Sequence, residues 1–426
     1  MSTSAERGRT VLFVAWCSAL TSCSMAPGHS VFPDAAPSAA TASQLAALRS
    51  DSALAQEHQT SSGFETLYNF GGGKDGKFPE ANLIAMHGKF YGTTYSGGAH
   101  GEGTVFEVSK TGKERVIYSF KGGSDGAEPQ ANLLDVDGEL YGTTTFGGSG
   151  PSGGNGTVFE VSTSGSEQVL YRFQGGSDGQ YPYAGLISVG GELYGTTEFG
   201  GGPTGGGGTV FAISTSGAER VVYAFKDQPD GAYPLAGLIA VHGMLYGTTA
   251  GGGNLDGTVF VCSTSGDERV LYTFRGKRDG ETPGAPLVDL NGVLYGTTVY
   301  GGSSDPSISN GTVFAVSLSG AEKILYRFQG ESDGASPLSG LTAVNGALYG
   351  TTYFGGNGTP SSHGDGTIFE VSTSGHESVV FRFQGGSGGG NPEAGLLLDK
   401  GALYGTTTQE GLSGPSGGGT VFEFSP

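Results

Sequence analysis

The chain has 426 residues, of which 83 are glycine, and only 14% are charged. Glycine costs about 1 kcal/mol at a helical site, so a helix-dominated fold is excluded. The formal net charge of −19 gives a polyanion no electrostatic help and argues against a nucleic-acid partner. Hydrophobic residues make up 36% of the chain, too many for a disordered polymer. The composition therefore indicates a large β protein that is dense in turns.

The N-terminal segment has the pattern of an export signal. Arg7 and Arg9 precede a short apolar run over residues 10–20, which is too brief to span a membrane. The run ends in Leu-Thr-Ser-Cys, which resembles the bacterial lipoprotein signal and predicts lipidation of Cys23. An ordinary cleaved signal with an incidental cysteine is the alternative. We expect residues 1–22 to be the signal peptide and residues 23–63 a flexible tether rich in Ser, Ala and Pro.

The remaining chain, residues 64–426, contains seven copies of one unit. Each copy carries Leu/Phe-Tyr-Gly-Thr-Thr, then Gly-Thr-Val/Ile-Phe, then an aromatic-x-Phe phrase. Successive copies lie 49 to 55 residues apart. The tyrosines of the first phrase are Tyr91, Tyr141, Tyr194, Tyr246, Tyr295, Tyr349 and Tyr404.

Each unit predicts four strands, named a to d, separated by turn residues. In the second unit these are Asn132–Val136, Glu139–Thr144, Thr157–Ser162 and Gln168–Phe173. The side chains of strand d are expected to alternate between the two faces of the sheet, with Val169 and Tyr171 on one face. The a–b turn is a two-residue x-Gly, in which glycine supplies the positive φ of a tight hairpin.

Four antiparallel strands per 50 residues predict a seven-bladed β-propeller, with a parallel β-helix as the second choice. The first repeat element is a d strand, residues 64–70, and the last is a c strand, Thr420–Phe424. A closed ring lets the first strand complete the last blade and so satisfies both sheet edges.

The phrases Leu-Tyr-Gly-Thr-Thr, Gly-Thr-Val-Phe and Gly-Gly-Ser-Asp-Gly in series resemble those of the bacterial GloVer tandem-repeat family. The resemblance covers residues 64–426. It implies a propeller-like exported protein with an anchor, and it brings no catalytic residues, ligand or reaction.

No cofactor or metal site is expected. Cys262 stands alone in the repeats and is interpreted as a small buried hydrophobe, and no histidine pair has metal-ligand spacing. The Asp of the recurrent Asp-Gly pair, absent at Gly388, is expected to bond backbone N–H groups of its own turn. Whether these turns bind calcium stays open, because one carboxylate per loop is far from a full oxygen shell.

Function is expected on the face that carries the b–c and d–a connections. The b–c stretch varies from 7 to 13 residues, whereas the turns of the other face are short and uniform. An aromatic residue often begins the b–c loop and predicts stacking on a sugar or peptide, with packing between blades as the alternative. These residues are Tyr95 and the candidate ligand-binding set Phe146, Phe199, Tyr300 and Phe354.

The preferred interpretation is a monomeric, non-catalytic binding or scaffold propeller that is lipid-anchored in the cell envelope, in the outer membrane. Its partner would be an envelope glycan or a surface protein. The alternative is a glycan-processing hydrolase or lyase that uses loop carboxylates. Strand a offers few acids to such an enzyme, only Asp135, Asp289 and Asp399. The loop carboxylates are Glu102, Asp256, Asp305 and Asp365.

Overall fold

The computed structural model describes residues 60–61, 63–148, 153–202, 206–226, 229–305, 309–356, 364–409 and 417–426. The predicted signal peptide, Cys23 and residues 24–59 of the predicted tether lie outside the described residues.

Seven antiparallel sheets form the seven blades of a β-propeller. The described residues contain no α-helix, only five single 3-10 turns, and the strands of each sheet follow the order a-b-c-d. Neighbouring blades approach each other through strand a, which is therefore the innermost strand. The inner strands are Ile84–Met86, Leu134–Val136, Ile187–Val189, Ile239–Val241, Val288–Leu290, Thr342–Val344 and Leu397–Asp399.

The other three strands are longer and carry the repeated phrases. Strands b are Lys89–Thr94, Glu139–Thr144, Glu192–Thr197, Met244–Thr249, Val293–Thr298, Ala347–Thr352 and Ala402–Thr407. Strands c are Thr104–Ser109, Thr157–Val161, Thr209–Ile213, Thr258–Cys262, Thr312–Ser317, Thr367–Ser372 and Thr420–Phe424. Strands d of blades 1–6 are Glu114–Ser119, Glu167–Arg172, Glu219–Ala224, Glu268–Thr273, Glu322–Arg327 and Glu377–Arg382.

Strand d of blade 7 is Phe64–Asn69, which confirms the predicted closure of the ring. It pairs antiparallel with Thr420–Phe424, with Phe64 opposite Phe424 and Asn69 opposite Thr420. Thr60–Ser61, within the predicted tether, adds a short fifth strand to this blade.

The prediction that side chains alternate between faces along strand d is wrong at the centre of the strand. All seven c–d pairs contain a register shift, and in blade 2 it falls between Val169 and Tyr171. Val169 pairs with Phe159 and Tyr171 pairs with Val158, so the two side chains point to opposite faces. The bulged residue Leu170 absorbs the extra step.

The glycine and the two threonines of the phrase Tyr-Gly-Thr-Thr each have a distinct structural role. A Cβ on Gly142 would lie 2.6 Å from Cζ of the buried Phe159, so only glycine at this position leaves room for the Phe159 ring. Thr143 donates to the carbonyl of Ala184 in the next blade at 3.1 Å. Thr144 bonds the Thr157 hydroxyl on strand c at 2.8 Å. The first threonine thus joins blades, and the second joins strands within a blade.

The a–b turns confirm the predicted hairpins. In blade 1, His87 and Gly88 have φ values of 51° and 77°, so both residues occupy the left-handed region. This is the geometry of a type I′ turn, whose twist matches that of the flanking strands. Cys262 is 0% exposed and free, as expected for a small buried hydrophobe.

A junction triad of Tyr, Asp and Glu lies between neighbouring strands d. At the junction of blades 7 and 1, the Tyr68 hydroxyl donates to Asp75 Oδ1 at 2.6 Å, and the Gly71 N–H donates to Asp75 Oδ2 at 2.6 Å. The backbone bond confirms the expected role of the Asp-Gly turn. Glu114 faces both groups, and its Oε1 atom is buried with no hydrogen-bond partner among the described residues. The other triads are Tyr118/Asp125/Glu167, Tyr171/Asp178/Glu219, Tyr223/Asp230/Glu268, Tyr272/Asp279/Glu322 and Tyr326/Asp333/Glu377.

The junction of blades 6 and 7 differs at all three triad positions. Phe381 replaces tyrosine, Gly388 replaces aspartate and Phe64 replaces glutamate. Phe64 and Phe381 stack with ring centroids 4.1 Å apart, and Phe64 also meets Phe383 and Phe422. The strand that closes the ring is thus held by an aromatic cluster where the other junctions use ionisable groups.

Candidate functional site

The loop face comprises the d–a and b–c connections. Single backbone bridges tie the two connections together within a blade, for example Ala127 with Phe146 and Gln180 with Phe199. Tyr300 and Phe354 are bridged in the same way, to Glu281 and Ala335. The first residues of the b–c loop are therefore fixed by backbone pairing.

Two of the predicted aromatic residues belong to a continuous row over blades 2 to 4. Phe146 lies 5.1 Å from Tyr181, Tyr181 lies 6.0 Å from Phe199, and Phe199 lies 5.2 Å from Tyr233, measured between ring centroids. All four rings are half-buried. We call Phe146, Tyr181, Phe199 and Tyr233 the aromatic row.

Sequence reasoning missed Tyr181 and Tyr233. Each directly precedes a loop proline and has a φ near 60°, a left-handed conformation that is uncommon for bulky residues. The available signal was this position before proline, which is aromatic in three of the seven copies.

The other predicted aromatic residues lie elsewhere on the loop face. Tyr300 and Phe354 belong to blades 5 and 6, and Phe354 packs edge-on against Tyr353 at 4.6 Å. Tyr95, in blade 1, hydrogen-bonds Glu128.

The four predicted loop carboxylates come from four different blades. Glu102, Asp256 and Asp365 occupy the same repeat position in blades 1, 4 and 6, and Asp305 lies in blade 5. The Glu102 carbonyl accepts from the Glu128 N–H of the next blade at 3.0 Å, and Asp256 and Asp365 accept equivalent bonds. The position thus serves the contact between blades. Of the four side chains, Asp256 has a pKa raised by burial and by Glu281 and Asp279.

The structure brings other polar side chains together where the d–a loops converge on the ring axis. Gln130 Nε2 donates to Glu80 Oε2 at 2.7 Å and to the Tyr183 hydroxyl at 2.8 Å, linking blades 1, 2 and 3. Glu393 of blade 7 interacts with Glu80 from the other side. We call Glu80, Gln130, Tyr183 and Glu393 the axial cluster.

Each residue of the axial cluster directly follows a loop proline. Blades 4, 5 and 6 have Leu235, Gly284 and Leu338 at this position, so the polar side chains occupy one arc of the axis. This variable position within a repetitive phrase was the sequence signal for the cluster, and it was missed.

The axial carboxyl groups hold their protons more tightly than exposed ones. Burial raises the pKa of Glu80 to about 7, with the Gln130 amide opposing and the Glu128 charge adding to the shift. Burial and the charge of Glu80 raise the pKa of Glu393 well above its usual range. Burial alone raises the pKa of Glu198, which begins the b–c loop of blade 3, to about 8.

The acids of strand a serve other contacts. Asp135 Oδ1 accepts from the Gly138 N–H at 2.9 Å, and Asp289 Oδ1 accepts from the Gly292 N–H at 3.1 Å. Asp399 forms an ion pair with Lys110. All three lie beside the a–b turns, on the face opposite the loops.

Among the described residues, no group of three His, Cys, Asp or Glu side chains is placed to hold a metal ion. The same part of the chain contains no helix long and apolar enough to cross a membrane.

The sequence profile of the Gloeobacter/Verrucomicrobia repeat matches residues 54–154, 149–309 and 303–426. No curated protein matches the chain.

Several solved structures are similar at low identity. A puromycin-hydrolyzing peptidase of Mycobacterium tuberculosis is 11% identical, with a TM-score of 0.46, over 78% of this chain and 49% of the peptidase. The endosialidase of phage phi92 is 10% identical, with a TM-score of 0.46, over 84% of this chain and 68% of the endosialidase. An α-L-arabinanase of Penicillium chrysogenum is 13% identical, with a TM-score of 0.42, over 69% of this chain and 92% of the arabinanase. The chain thus spans about half the length of the peptidase.

Proposed function

The chain belongs to the Gloeobacter/Verrucomicrobia repeat family, and we propose that this member is a glycan-binding module whose ligand lies across the loop face. The observation that carries this proposal is the aromatic row. Half-buried rings at centroid distances of 5.1 to 6.0 Å offer a fixed apolar strip.

The aromatic row suits sugar rings because stacking supplies contact area without requiring charge on the ligand. The backbone bridges of Phe146 and Phe199 hold their loops in place, so less conformational entropy is lost when a ligand binds. The adjacent axial cluster adds amide, hydroxyl and carboxyl groups that hydrogen-bond sugar hydroxyls.

The first prediction concerns the aromatic row. The double variant Phe146→Ala/Phe199→Ala should bind its glycan at least tenfold more weakly, about 1.4 kcal/mol, because two stacking faces are lost. A glycan array identifies the ligand, and calorimetry with the purified protein measures the affinity.

The double variant Tyr300→Ala/Phe354→Ala is the matched comparison, because it removes two aromatic side chains from the same face outside the row. Melting curves of both variants report their folding. Wild-type affinity in a folded Phe146→Ala/Phe199→Ala protein would contradict the proposal.

A glycan hydrolase or lyase is the second candidate, favoured by one observation. Glu80 and Glu393 are neighbouring carboxyl groups with raised pKa values, and a general acid must hold its proton near neutral pH. Product release from a bound glycan, abolished by Glu80→Gln with binding intact, would favour this candidate.

A further inference from the structure

The face opposite the loops, which we call the turn face, carries the a–b and c–d turns, and its lysines are gathered in two neighbouring blades. Among the described turns and the first residues of strands b, every lysine belongs to blade 1 or blade 7. These residues are Lys89, Lys110, Lys113 and Lys400. In a chain with a formal net charge of −19, they are a local concentration of positive charge.

Two of these lysines depart from the repeat. Lys110 and Lys113 lie in the c–d turn of blade 1. The c–d turns of blades 2 to 6 have threonine or leucine at the first position and serine, alanine, aspartate or histidine at the second. The same turn therefore forms without lysine at either position, and the positive charge is a property of blade 1 alone.

Ion pairs neutralise only part of this charge. Lys110 pairs with Asp399 of blade 7, which joins the two blades. Lys89 Nζ and Arg115 Nε both donate to Glu107 Oε1, at 2.7 and 3.0 Å. Two cations thus share one carboxylate, and one positive charge remains.

Lys113 and Lys400 are exposed and form no ion pair among the described residues. Both lie in the turns themselves, whereas the acids Glu65 and Glu423 of blade 7 lie within strands d and c. In the other blades, the acids of the turns and of the first residues of strands b are Asp137, Glu139, Glu192 and Asp267. At these positions, positive charge therefore belongs to blades 1 and 7 and negative charge to blades 2 to 4.

The chain enters the propeller on the same side. Phe64 begins strand d of blade 7 and lies opposite Phe424, the last residue of strand c, at the turn face. Glu114, which directly follows Lys113, faces Tyr68 of this entering strand. The predicted tether thus joins the propeller beside the lysines.

We propose that the turn face of blades 1 and 7 docks on the anionic surface of a phospholipid membrane. Lysine side chains are attracted to such a surface within about a Debye length of it. The acidic remainder of the protein is repelled by the same surface, so this side approaches it in preference to any other. The entry of the tether beside the lysines keeps this side nearest to the membrane.

The inference adds an orientation to the proposed glycan-binding function and does not depend on it. With the turn face on the membrane, the loop face and its aromatic row point away from the lipid.

Vesicle sedimentation tests the proposal with the mature chain from residue 23, in which Cys23→Ser keeps the protein free of lipid. One set of vesicles contains phosphatidylcholine alone, and the other contains equal parts of phosphatidylcholine and phosphatidylglycerol. At low salt the protein should bind the anionic vesicles at least tenfold more tightly, and the difference should disappear at high salt because added ions screen the charges. No preference for the anionic vesicles at low salt would overturn the proposal.

Charge-reversal variants locate the surface. Lys113→Glu/Lys400→Glu should bind the anionic vesicles at least tenfold more weakly, because both exposed lysines then repel the phosphates. Arg269→Glu/Lys323→Glu is the matched control, because it makes the same change in net charge at exposed positions of strands d in blades 4 and 5, across the disc. It should weaken binding far less, and melting curves report the folding of both variants.

Two outcomes would reassign the surface. Equal weakening by the two charge-reversal variants would show that only net charge matters and would overturn the docking site. Tight binding to heparin without binding to anionic vesicles would identify a soluble polyanion as the partner and overturn the membrane. Neither outcome bears on glycan binding, which the aromatic-row variants test separately.

Discussion

At the scale of single residues, the junction triads place six glutamates beside aspartates between strands d. Burial, and then the neighbouring aspartate, raise the pKa of Glu114 and Glu268 to about 8. The same causes raise the pKa of Glu167, Glu219 and Glu377 to about 7, and that of Glu322 in the same direction. A protonated glutamate donates to the aspartate, whereas an ionised one repels it.

The stability of the propeller should therefore fall as the pH rises. Glutamate in an unfolded chain has a pKa of about 4.3, so between that value and pH 8 the folded protein binds more protons than the unfolded one. The stabilisation is complete below the unfolded value and is lost as the pH rises through 7 to 8. The pKa values of Glu107 and Glu192 are lowered, so these two groups change the stability only at pH values below this range.

Melting curves between pH 5 and pH 9 measure this effect. Glu219→Gln mimics the protonated side chain, so it should raise the melting temperature at pH 9 and leave it nearly unchanged at pH 5. The exposed Glu331→Gln is the control. A wild-type melting temperature that rises from pH 5 to pH 9 would contradict the protonation of the triads.

Core residues were predictable from the sequence where they contact each other within a single blade. The glycine before the two threonines packs against the phenylalanine of Gly-Thr-Val-Phe in the same blade, so both residues recur in every copy. The axial cluster was not predictable in this way. Glu80, Gln130 and Tyr183 come from three blades. The sequence around Gln130 gives no sign that this residue bonds the other two, because only the closed ring brings the three together.

At the scale of secondary-structure elements, the strand Phe64–Asn69 carries the most distinctive junction. Phe64 is 3% exposed and lies among Phe381, Phe383 and Phe422. Sequence comparison of the seven copies predicted where this strand pairs, because the unmatched c strand had to be completed. It did not predict the exchange of all three triad residues, which becomes meaningful only when Phe64 and Phe381 meet.

The variant Phe64→Glu should destabilise the protein by about 3 kcal/mol or more, because it buries a carboxyl among rings without its usual partners. Restoring those partners with Phe381→Tyr and Gly388→Asp should recover at least about 1 kcal/mol of that loss. Gly388 has no positive φ, so aspartate fits its backbone. Urea unfolding of Phe64→Glu, of Phe381→Tyr/Gly388→Asp and of the triple variant measures the three changes in unfolding free energy. Strictly additive changes would argue against a triad that can be transferred to this junction.

The bulge in strand d had no sequence signal. Leu170 and its equivalents are apolar residues within an apolar run, so an alternating pattern was the natural expectation. The register shift instead appears in all seven c–d pairs. A bulge of this kind bends its strand and increases the local twist.

At the scale of the whole molecule, the proposed setting is the cell envelope, with the propeller held by a lipid at Cys23. The lipidation pattern at residues 20–23 supports this proposal, with serine rather than aspartate after the cysteine supporting the outer membrane.

Metabolic labelling with palmitate tests the anchor. Wild type should incorporate the label and partition with membranes, whereas Cys23→Ser should do neither, because only the cysteine thiol accepts the lipid. Cys262→Ser, which alters the buried cysteine of blade 4, is the matched control and should still be labelled. Equal labelling of wild type and Cys23→Ser would refute the anchor.

The pairing of Phe64–Asn69 with Thr420–Phe424 also sets the order of events in biosynthesis. Apart from the short strand Thr60–Ser61, the closing strand is made first among the blade strands, and its partner is made last. During synthesis, the edge of the first strand and Phe64 therefore stay uncovered while the six other blades are completed. A chain that terminates before Thr420 lacks the partner strand. Truncated products should therefore keep Phe64–Asn69 exposed and be cleaved there by proteases.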